Sequence, residues 1–331
     1  MTRASTFDTP LSVRDVRWVV EQACRAPSIH NTQPWRFRYA DGAFELRADT
    51  QRGLGGSDPD GRELVISCGA ALYNLRLAAR KLGYTATVSL LPDARDPRLL
   101  ARIDVVESRP ADVAERRAYA ALTRRHTHRS GFDDRALSPE LAVALQRAAR
   151  EESGSLFYVQ DPGQRRRVLH LARAAERELA QDETVQAEIA AWTPPRGTAR
   201  RDGVPPTAYA AEPESSVDGL PPRDFDLGRG IGMAQSQESP PGVVAVLASE
   251  RDLQVDWLQT GQALERMLIT AAEHWAFAAL HSQVTEVDHF RAELRREMCI
   301  SGYPQILLRF GYAPDAPTTP RRPVDDVLDL P

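Results

Sequence analysis

The stretch Ala26-Pro-Ser-Ile-His-Asn-Thr-Gln-Pro-Trp-Arg-Phe37 places rigid, small and hydrogen-bonding residues in one short turn that leads towards an extended segment. Its two prolines, Pro27 and Pro34, restrict the backbone and favour an extended conformation for the residues before them. The hydroxyl and amide groups between the prolines can both donate and accept hydrogen bonds. This pattern is typical of a loop that holds a flat ligand with polar edges, and equally typical of a capped turn between a helix and a strand.

Periodic patterns on both sides of this loop predict regular structure. Before it, apolar residues at 13–23 recur with a helical period, and Ser12 is the predicted N-cap. After it, residues 35–39 and 43–48 alternate around Asp41-Gly42, which predicts a β-hairpin. The chain is therefore expected to combine helices with antiparallel strands in an α+β fold.

Two long helical patterns carry much of the predicted core. The first covers residues 62–82 and ends at Gly83, and the second covers residues 256–280. Apolar residues occupy most of the circumference of the first, which predicts a buried central helix. Further strands are predicted at 85–91, 100–106, 156–160, 243–247 and 305–310. The segment 116–150 is predicted to contain a short helix before the basic run and a second helix that begins at 138. Three more helices are predicted at 163–180, 183–192 and 285–299.

Composition limits the classes of function. The chain has 331 residues, 42% of them hydrophobic, which suffices for one large domain or two ordinary ones. Its formal net charge of -4 gives no basic field for nucleic acid or an anionic membrane. No apolar run is long enough to span a bilayer, and the N-terminus lacks the apolar centre of a signal peptide. Three scattered cysteines, Cys24, Cys68 and Cys299, favour a reduced, cytoplasmic setting.

The most irregular part of the chain is the tract 193–242, which is dense in Pro, Gly, Ser, Asp and Arg. At this length it is either disordered or a functional lid over a site. Apolar anchors that a simple linker would lack favour a lid: Trp192, Tyr209, Phe225, Leu227, Ile231 and Met233.

The two long helical patterns also resemble each other. Aligning residues 68–79 with 260–271 pairs Gly69 with Gly261, and small residues recur where helices would touch. The chain is therefore predicted to contain two copies of one α+β unit, with chance similarity of two helices as the alternative. In the second copy Glu-Glu-Ser-Gly-Ser at 151–155 replaces the opening loop, so a single ligand is expected.

Three motifs together resemble the FMN-dependent nitroreductase family. They are Ala-Pro-Ser-x-x-Asn-x-Gln-Pro-Trp at 26–35, Arg-His-Thr-x-Arg at 125–129 ahead of Phe132-Asp133, and Arg-Arg-Pro at 321–323. The duplicated layout with a long middle insertion is similar to the Acg-type nitroreductases of actinobacteria. The likeness covers most of the chain, apart from the first few residues and the tract 193–242.

Members of this family are usually homodimers that bind FMN at the subunit interface. The resemblance therefore implies that this chain folds as an intrachain pseudo-dimer, with a first half at 1–118 and a second half at 119–331 that includes the lid-like insertion 193–242. Such a chain is expected to be a monomer or a weak homodimer.

The resemblance also implies a set of cofactor-binding residues. The opening loop contacts the flavin, the basic run holds phosphate and ribityl together with the C-terminal arginines, and the segment near 282 follows the flavin edge near N5. The implied residues are Pro27, Ser28, Ile29, Asn31 and Gln33; Arg125, His126, Thr127 and Arg129; Ser282 and Gln283; and Arg321 and Arg322. Arginine suits a phosphate because its planar guanidinium can contact two oxygens at once.

The activity implied by the resemblance is reduction of FMN by NAD(P)H and reoxidation by a nitro compound, a quinone or a similar small conjugated acceptor. The chemistry then belongs to flavin N5, and no catalytic side chain is expected. The alternatives are a protein that binds or sequesters FMN with little turnover, and a pseudo-dimer that has lost its ligand. A tract 193–242 folded over the flavin would exclude a nicotinamide ring. No metal site is predicted, because His126-Thr-His128 lacks a third ligand nearby.

Overall fold

The computed structural model describes residues 11–129, 131–211, 219–234, 242–313 and 319–330, and its described part has the expected α+β composition. The helices are α1 (Val13–Ala23), α2 (Arg62–Lys81), α3 (Val113–Leu122), α4 (Pro139–Arg150), α5 (Pro162–Leu179), α6 (Glu183–Ala191), α7 (Gln254–Glu273), α8 (Gln283–Glu286) and α9 (Asp288–Glu297). The strands are β1 (Trp35–Ala40), β2 (Ala43–Ala48), β3 (Tyr84–Leu90), β4 (Leu99–Glu107), β5 (Ser155–Tyr158), β6 (Val243–Ser249), β7 (Ala276–Leu280), β8 (Tyr303–Tyr312) and β9 (Leu328–Asp329).

The strands form two sheets with matching internal order. The first sheet runs β3-β4-β2-β1-β9, and the second runs β5-β6-β8-β7. Apart from β9, the four strands of each half take the same relative positions, and every neighbouring pair among them is antiparallel. This is the order that two copies of one unit would give. The duplication itself stays a prediction, which the matching order supports.

The helices α2 and α7 pack against each other at the two aligned glycines. A Cβ atom on Gly69 would lie 2.1 Å from the carbonyl oxygen of Leu258, and one on Gly261 would lie 1.9 Å from that of Ile66. Any side chain at either position would therefore force the helices apart. The prediction that small residues occur where these helices touch is confirmed.

Local sequence signals account for the elements beside the opening loop. The Ser12 hydroxyl accepts a hydrogen bond from the Asp15 amide at 3.1 Å, so it caps α1 as predicted. The predicted hairpin is also present, with β1 and β2 joined through Asp41 and Gly42. Both turn residues have positive φ angles, 51° and 75°, as a tight two-residue hairpin turn requires.

The predicted helix 256–280 is wrong at its C-terminal end. The helix α7 stops at Glu273, and the apolar residues that follow form strand β7. The reversal occurs at Trp275, whose φ is 57°, whereas Gly83 with φ 94° ends the matching helix of the first half. Without a glycine, the sequence gives no signal for this stop. The predicted helix 285–299 is likewise divided into α8 and α9, at the extended residue Val287.

Helices cover the two sheets differently. The first sheet packs on α1 and α2. The second sheet has α4 and α7 on one face and α5 and α9 on the other. Within the described residues, no helix is both long and apolar enough to cross a membrane.

The C-terminal segment crosses from the second half to the first sheet. Strand β9 pairs in parallel with β1, with Phe37 opposite Leu328. The amide of Phe37 donates to the carbonyl oxygen of Val327 at 2.7 Å. The side chains of Val327 and Leu328 join the core of the first half. This crossing brings the 321–323 motif beside the opening loop.

Candidate functional site

The opening loop has an unusual backbone. His30, Asn31 and Gln33 have φ angles of 44°, 55° and 52°, in the left-handed region that non-glycine residues rarely adopt. Side-chain hydroxyls hold this conformation, because Ser28 Oγ accepts from the Gln33 amide at 2.9 Å and Ser67 Oγ accepts from the Ile29 amide at 3.1 Å. Backbone strain of this kind is concentrated at functional sites.

The side-chain amides of the loop bind other parts of the chain. Asn31 Nδ2 donates to the carbonyl oxygen of Gly203 at 2.9 Å, and Gln33 Nε2 donates to that of Arg201 at 2.9 Å. Gln33 Oε1 accepts from the backbone amide of Arg322 at 2.8 Å. The two amides thus join the loop to the tract and to the C-terminal segment. Their contact with a flavin stays a prediction that these hydrogen bonds do not support.

Three arginines from the predicted set lie together, and we call Arg125, Arg129 and Arg321 the guanidinium cluster. Arg125 Nη2 and Arg321 Nη2 donate to the same acceptor, the carbonyl oxygen of Arg25, at 2.8 and 3.2 Å. Loss of solvent and repulsion from Arg125 lower the pKa of Arg321 to about 9 and that of Arg129 to about 10. Such crowding of positive charge would be relieved by a bound anion.

Among the described residues, two donors of the cluster have neither a hydrogen bond nor an ion pair. Arg125 Nη1 and Arg321 Nε are buried and make no hydrogen bond to any residue that the structure describes. Leaving a buried donor unsatisfied costs roughly 1–3 kcal/mol, more for a charged group. The two atoms therefore indicate a place where an acceptor from a ligand would be stabilising.

One buried carboxylate lies against the cluster. Glu265 of α7 has a fully buried side chain, and its Oε1 lies 3.3 Å from Arg125 Nε. Burial raises the pKa of Glu265 to about 7, although the charges of Arg125 and Arg321 oppose this change. The cluster therefore combines three cations with one acid that titrates near neutral pH.

Arg322, the other member of the predicted C-terminal pair, is directed elsewhere. Its Nη1 donates to the carbonyl oxygen of Gln33 at 3.1 Å, and its Nη2 donates to that of Asp326 at 3.0 Å. Asp49 lies 3.7 Å from the same guanidinium. The structure thus brings Arg321, and not Arg322, into the guanidinium cluster.

The residues between the arginines of the basic run attach it to the second sheet. The His126 ring stacks on Phe277 with centroids 4.1 Å apart, and Thr127 forms a parallel bridge with Ala278 of β7. These contacts hold the run in place while Arg125 and Arg129 reach the cluster. Among the described residues, no group of three or more His, Cys, Asp or Glu side chains could hold a metal ion.

Ser282 and Gln283 lie at the start of α8 and bind a different set of partners. Ser282 Oγ donates to Glu286 Oε1 at 2.7 Å, and Gln283 Nε2 lies 3.4 Å from the carbonyl oxygen of Pro221. Glu286 in turn pairs with Arg223 of the tract, with 2.5 Å between Nη2 and Oε2. The side chains of Ser282 and Gln283 thus bind α8 and the tract, and the tract in turn contacts the opening loop.

The described parts of the tract lie against the loop and the cluster. The Phe225 ring meets the His30 ring edge to face with centroids 5.5 Å apart, and the Arg129 guanidinium lies 5.9 Å from the Phe225 centroid. Burial, followed by the charges of Arg223 and Arg129, lowers the pKa of His30 well below its ordinary value, so its imidazole is neutral. Residues 212–218 and 235–241 of the predicted lid lie outside the described part of the chain.

Two residues of the site, Glu265 and Arg223, were not predicted from the sequence. Glu265 had a signal, because it is a charged residue within an apolar stripe of α7 that includes Gly261 and Leu268. Arg223 had none, because the tract around it lacks periodicity.

Comparison with known proteins identifies the family. The chain is 34% identical over 325 residues to "Putative NAD(P)H nitroreductase Rv3131" of Mycobacterium tuberculosis, with 96% of this chain and 91% of that protein covered. It is 30% identical over 333 residues to "Putative NAD(P)H nitroreductase acg" of the same organism, with 98% of each covered. The chain belongs to the Acg-type nitroreductase family. No family model matches it.

Solved nitroreductase structures are more distantly similar to this Acg-type chain. One, from Desulfitobacterium hafniense DCB-2 with bound FMN, is 12% identical, with a TM-score of 0.40 and coverage of 63% of this chain and 95% of that one. Another, from Bacteroides fragilis NCTC 9343 with bound FMN, is 10% identical, with a TM-score of 0.37 and coverage of 62% and 92%.

Proposed function

We propose that this nitroreductase-family chain binds FMN, with the phosphate at the guanidinium cluster, and acts as an NAD(P)H-dependent oxidoreductase. The observation that carries the proposal is the convergence of Arg125 and Arg321 on one carbonyl oxygen, with a buried donor on each that has no hydrogen-bond partner in the described part of the chain. The proposed oxidant is a nitro compound, a quinone or a similar small conjugated molecule. The names of the relatives support the nicotinamide donor.

The residues present fit a phosphomonoester. Such a group carries about 1.5 to 2 negative charges near neutral pH and offers three acceptor oxygens. Guanidinium groups bind these oxygens through paired N–H donors, so Arg125 and Arg321 would hold the phosphate together with Arg129. A neutral ligand, in contrast, would leave the positive charge of these guanidinium groups uncompensated.

The opening loop would hold the remainder of the cofactor. Its strained residues are fixed by hydrogen bonds to Ser28 and Ser67, so the loop is organised before any ligand binds. The neutral His30 and the Phe225 ring provide an apolar boundary beside it. Bound FMN would supply two-electron redox chemistry, while the chain's own residues bind, orient and exclude water.

A second candidate function is sequestration of FMN with little turnover. It is favoured by the tract, which hydrogen-bonds to the loop through Gly203 and Arg201 and packs Phe225 on His30. A tract held in this position would limit the approach of a nicotinamide ring to a cofactor below it. Both candidates share the same FMN site and differ only in access.

The remaining proposals concern setting and partners. Cys24 and Cys68 are free and buried, and Cys299 is free and exposed, which is compatible with a reducing, cytoplasmic location. We propose a small-molecule acceptor as the physiological partner, without nucleic acid or membrane.

The decisive experiment is to purify the chain, measure flavin absorbance, and mix the FMN-loaded protein anaerobically with NADH or NADPH. Bleaching of the flavin band by either nicotinamide supports the oxidoreductase. Binding of FMN without bleaching by either nicotinamide supports sequestration. A colourless protein that takes up no FMN refutes both candidates.

A further inference from the structure

We infer that Glu265 is a positioning residue that sets the charge of the guanidinium cluster and couples phosphomonoester binding to the uptake of a proton. This inference rests on the proposed FMN site and assigns a role to a residue outside the predicted binding set. A carboxylate so close to an anion site would otherwise only oppose binding.

The geometry places Glu265 directly behind a phosphate-binding arginine. Its Oε1 lies 3.3 Å from Arg125 Nε, and both side chains are almost completely buried, with exposed fractions of 0% and 4%. Arg125 extends past this carboxylate to share the Arg25 carbonyl oxygen with Arg321. Glu265 therefore acts on the ligand through Arg125 without needing to touch it.

The direction of the coupling follows from charge. Without a ligand, the surrounding cations favour the ionised form of Glu265, while loss of solvent favours the protonated form. A phosphate dianion placed among the same cations cancels part of their field and adds repulsion. Binding must therefore raise the proton affinity of Glu265, and a proton is taken up wherever the free carboxylate is ionised.

Linkage then fixes the sign of the pH effect. Because the pKa of Glu265 is about 7 without a ligand and higher with one, FMN affinity falls as pH rises above about 7. The second ionisation of the phosphate lies near pH 6, below this window.

The other groups around Glu265 leave that window clear. Four of them interact with Glu265 itself: Tyr73, Asn74, Arg125 and Arg321. Four more interact with those residues in turn: Cys24, Arg76, Arg129 and Arg266. Burial raises the pKa of both Cys24 and Tyr73 to about 12. The pKa values of Arg129 and Arg321, about 10 and about 9, also lie above pH 8. Between pH 7 and 8, Glu265 is therefore the group expected to dominate.

The test measures the dissociation constant of FMN by fluorescence titration at pH 7 and pH 8. For the wild type, we expect a several-fold rise over this unit, with about tenfold as the limit for one proton. In Glu265→Gln, which keeps the shape and removes the charge, the two constants should agree and binding at pH 8 should be tighter than in the wild type.

Two controls make the result specific. Glu152→Gln removes another buried carboxylate, one that pairs with Arg76 and Arg266, and should keep the wild-type pH slope. Riboflavin, which lacks the phosphate, should show no slope in any variant. A flat wild-type profile, or an unchanged slope in Glu265→Gln, overturns the inference alone. Failure of the wild type to bind FMN at either pH refutes the proposed function, and the inference with it.

Discussion

Arg125 contributes to the guanidinium cluster one donor that is hydrogen-bonded, Nη2, and one, Nη1, that has no hydrogen-bond partner among the described residues. Replacing it by alanine removes a charge-assisted contact to the proposed phosphate, so we expect Arg125→Ala to weaken FMN binding about 10- to 100-fold. Fluorescence titration measures this effect, and riboflavin affinity should change little.

The neighbouring Arg124 provides the matched control. Its guanidinium lies 4.8 Å from the exposed Trp275 ring. Arg124→Ala should therefore leave FMN affinity near the wild-type value. Equal FMN affinity in Arg125→Ala and the wild type would refute the phosphate role of Arg125.

At the same scale, sequence identified the motifs better than the direction of their side chains. The basic run and the C-terminal arginines were recognisable, but Arg321 and Arg322 are adjacent and chemically identical. Only the path of the C-terminal segment beside β1 decides that Arg321 faces Arg125 while Arg322 faces Gln33. Glu265 was missed because its partners come from segments more than 50 residues away in sequence.

Among the elements, the contact between α2 and α7 leaves no room for a side chain at its two glycines. A methyl group at Gly69 would overlap the carbonyl oxygen of Leu258. We expect Gly69→Ala to reduce the free energy of unfolding by about 1–3 kcal/mol, because the two backbones must separate. Urea denaturation measures the change. Gly55→Ala is the control, since the nearest atom to its Cβ would be 3.9 Å away and its φ is not positive; equal stability losses in both variants would contradict the packing argument.

The tract makes a second prediction at this scale. Phe225 is its aromatic contact with His30, and it also lies beside Arg129. We expect Phe225→Ala to loosen the tract, so that FMN dissociates several-fold faster and its anaerobic reduction by NAD(P)H accelerates. Met233→Ala, at an exposed position of the same tract, is the control. Unchanged rates in Phe225→Ala would show that the tract does not limit access.

Element boundaries were predictable where a residue with a special backbone preference marks them. Asp41-Gly42 fixed the first hairpin and Gly83 the end of α2, whereas Trp275 ends α7 with a positive φ and no sequence signal. The residues of β7 are small and apolar, so their pattern alone suits a helix as well as a strand. Pairing with β8 decides between them.

For the whole molecule, the α+β class and the similarity of the two helical patterns could be predicted from sequence. The crossing of the C-terminal segment to the first sheet could not. Strand β9 has only two residues and follows a segment rich in proline. Its place beside β1 depends on Val327 and Leu328 entering the core of the first half. Local periodicity in the sequence does not predict a contact between segments this far apart.

The proposed pseudo-dimer leads to a prediction about stoichiometry. In the alignment of the two helices, Tyr73 of α2 corresponds to Glu265 of α7, so Tyr73 marks the counterpart of the phosphate site. Arg76 and Arg266 flank its ring at 5.7 and 5.9 Å, but both already bind the Glu152 carboxylate, at 2.7 and 2.9 Å.

A carboxylate of the chain thus neutralises the cations that a second phosphate would need, and the short turn before β5 has one non-glycine residue with a positive φ, Ser153 at 64°, where the opening loop has three. We expect one FMN per chain, independent of protein concentration, because both halves of the site belong to one molecule. Flavin absorbance per chain together with sedimentation measures both quantities. Two FMN per chain, or a site formed only in a dimer, would contradict the single intrachain site.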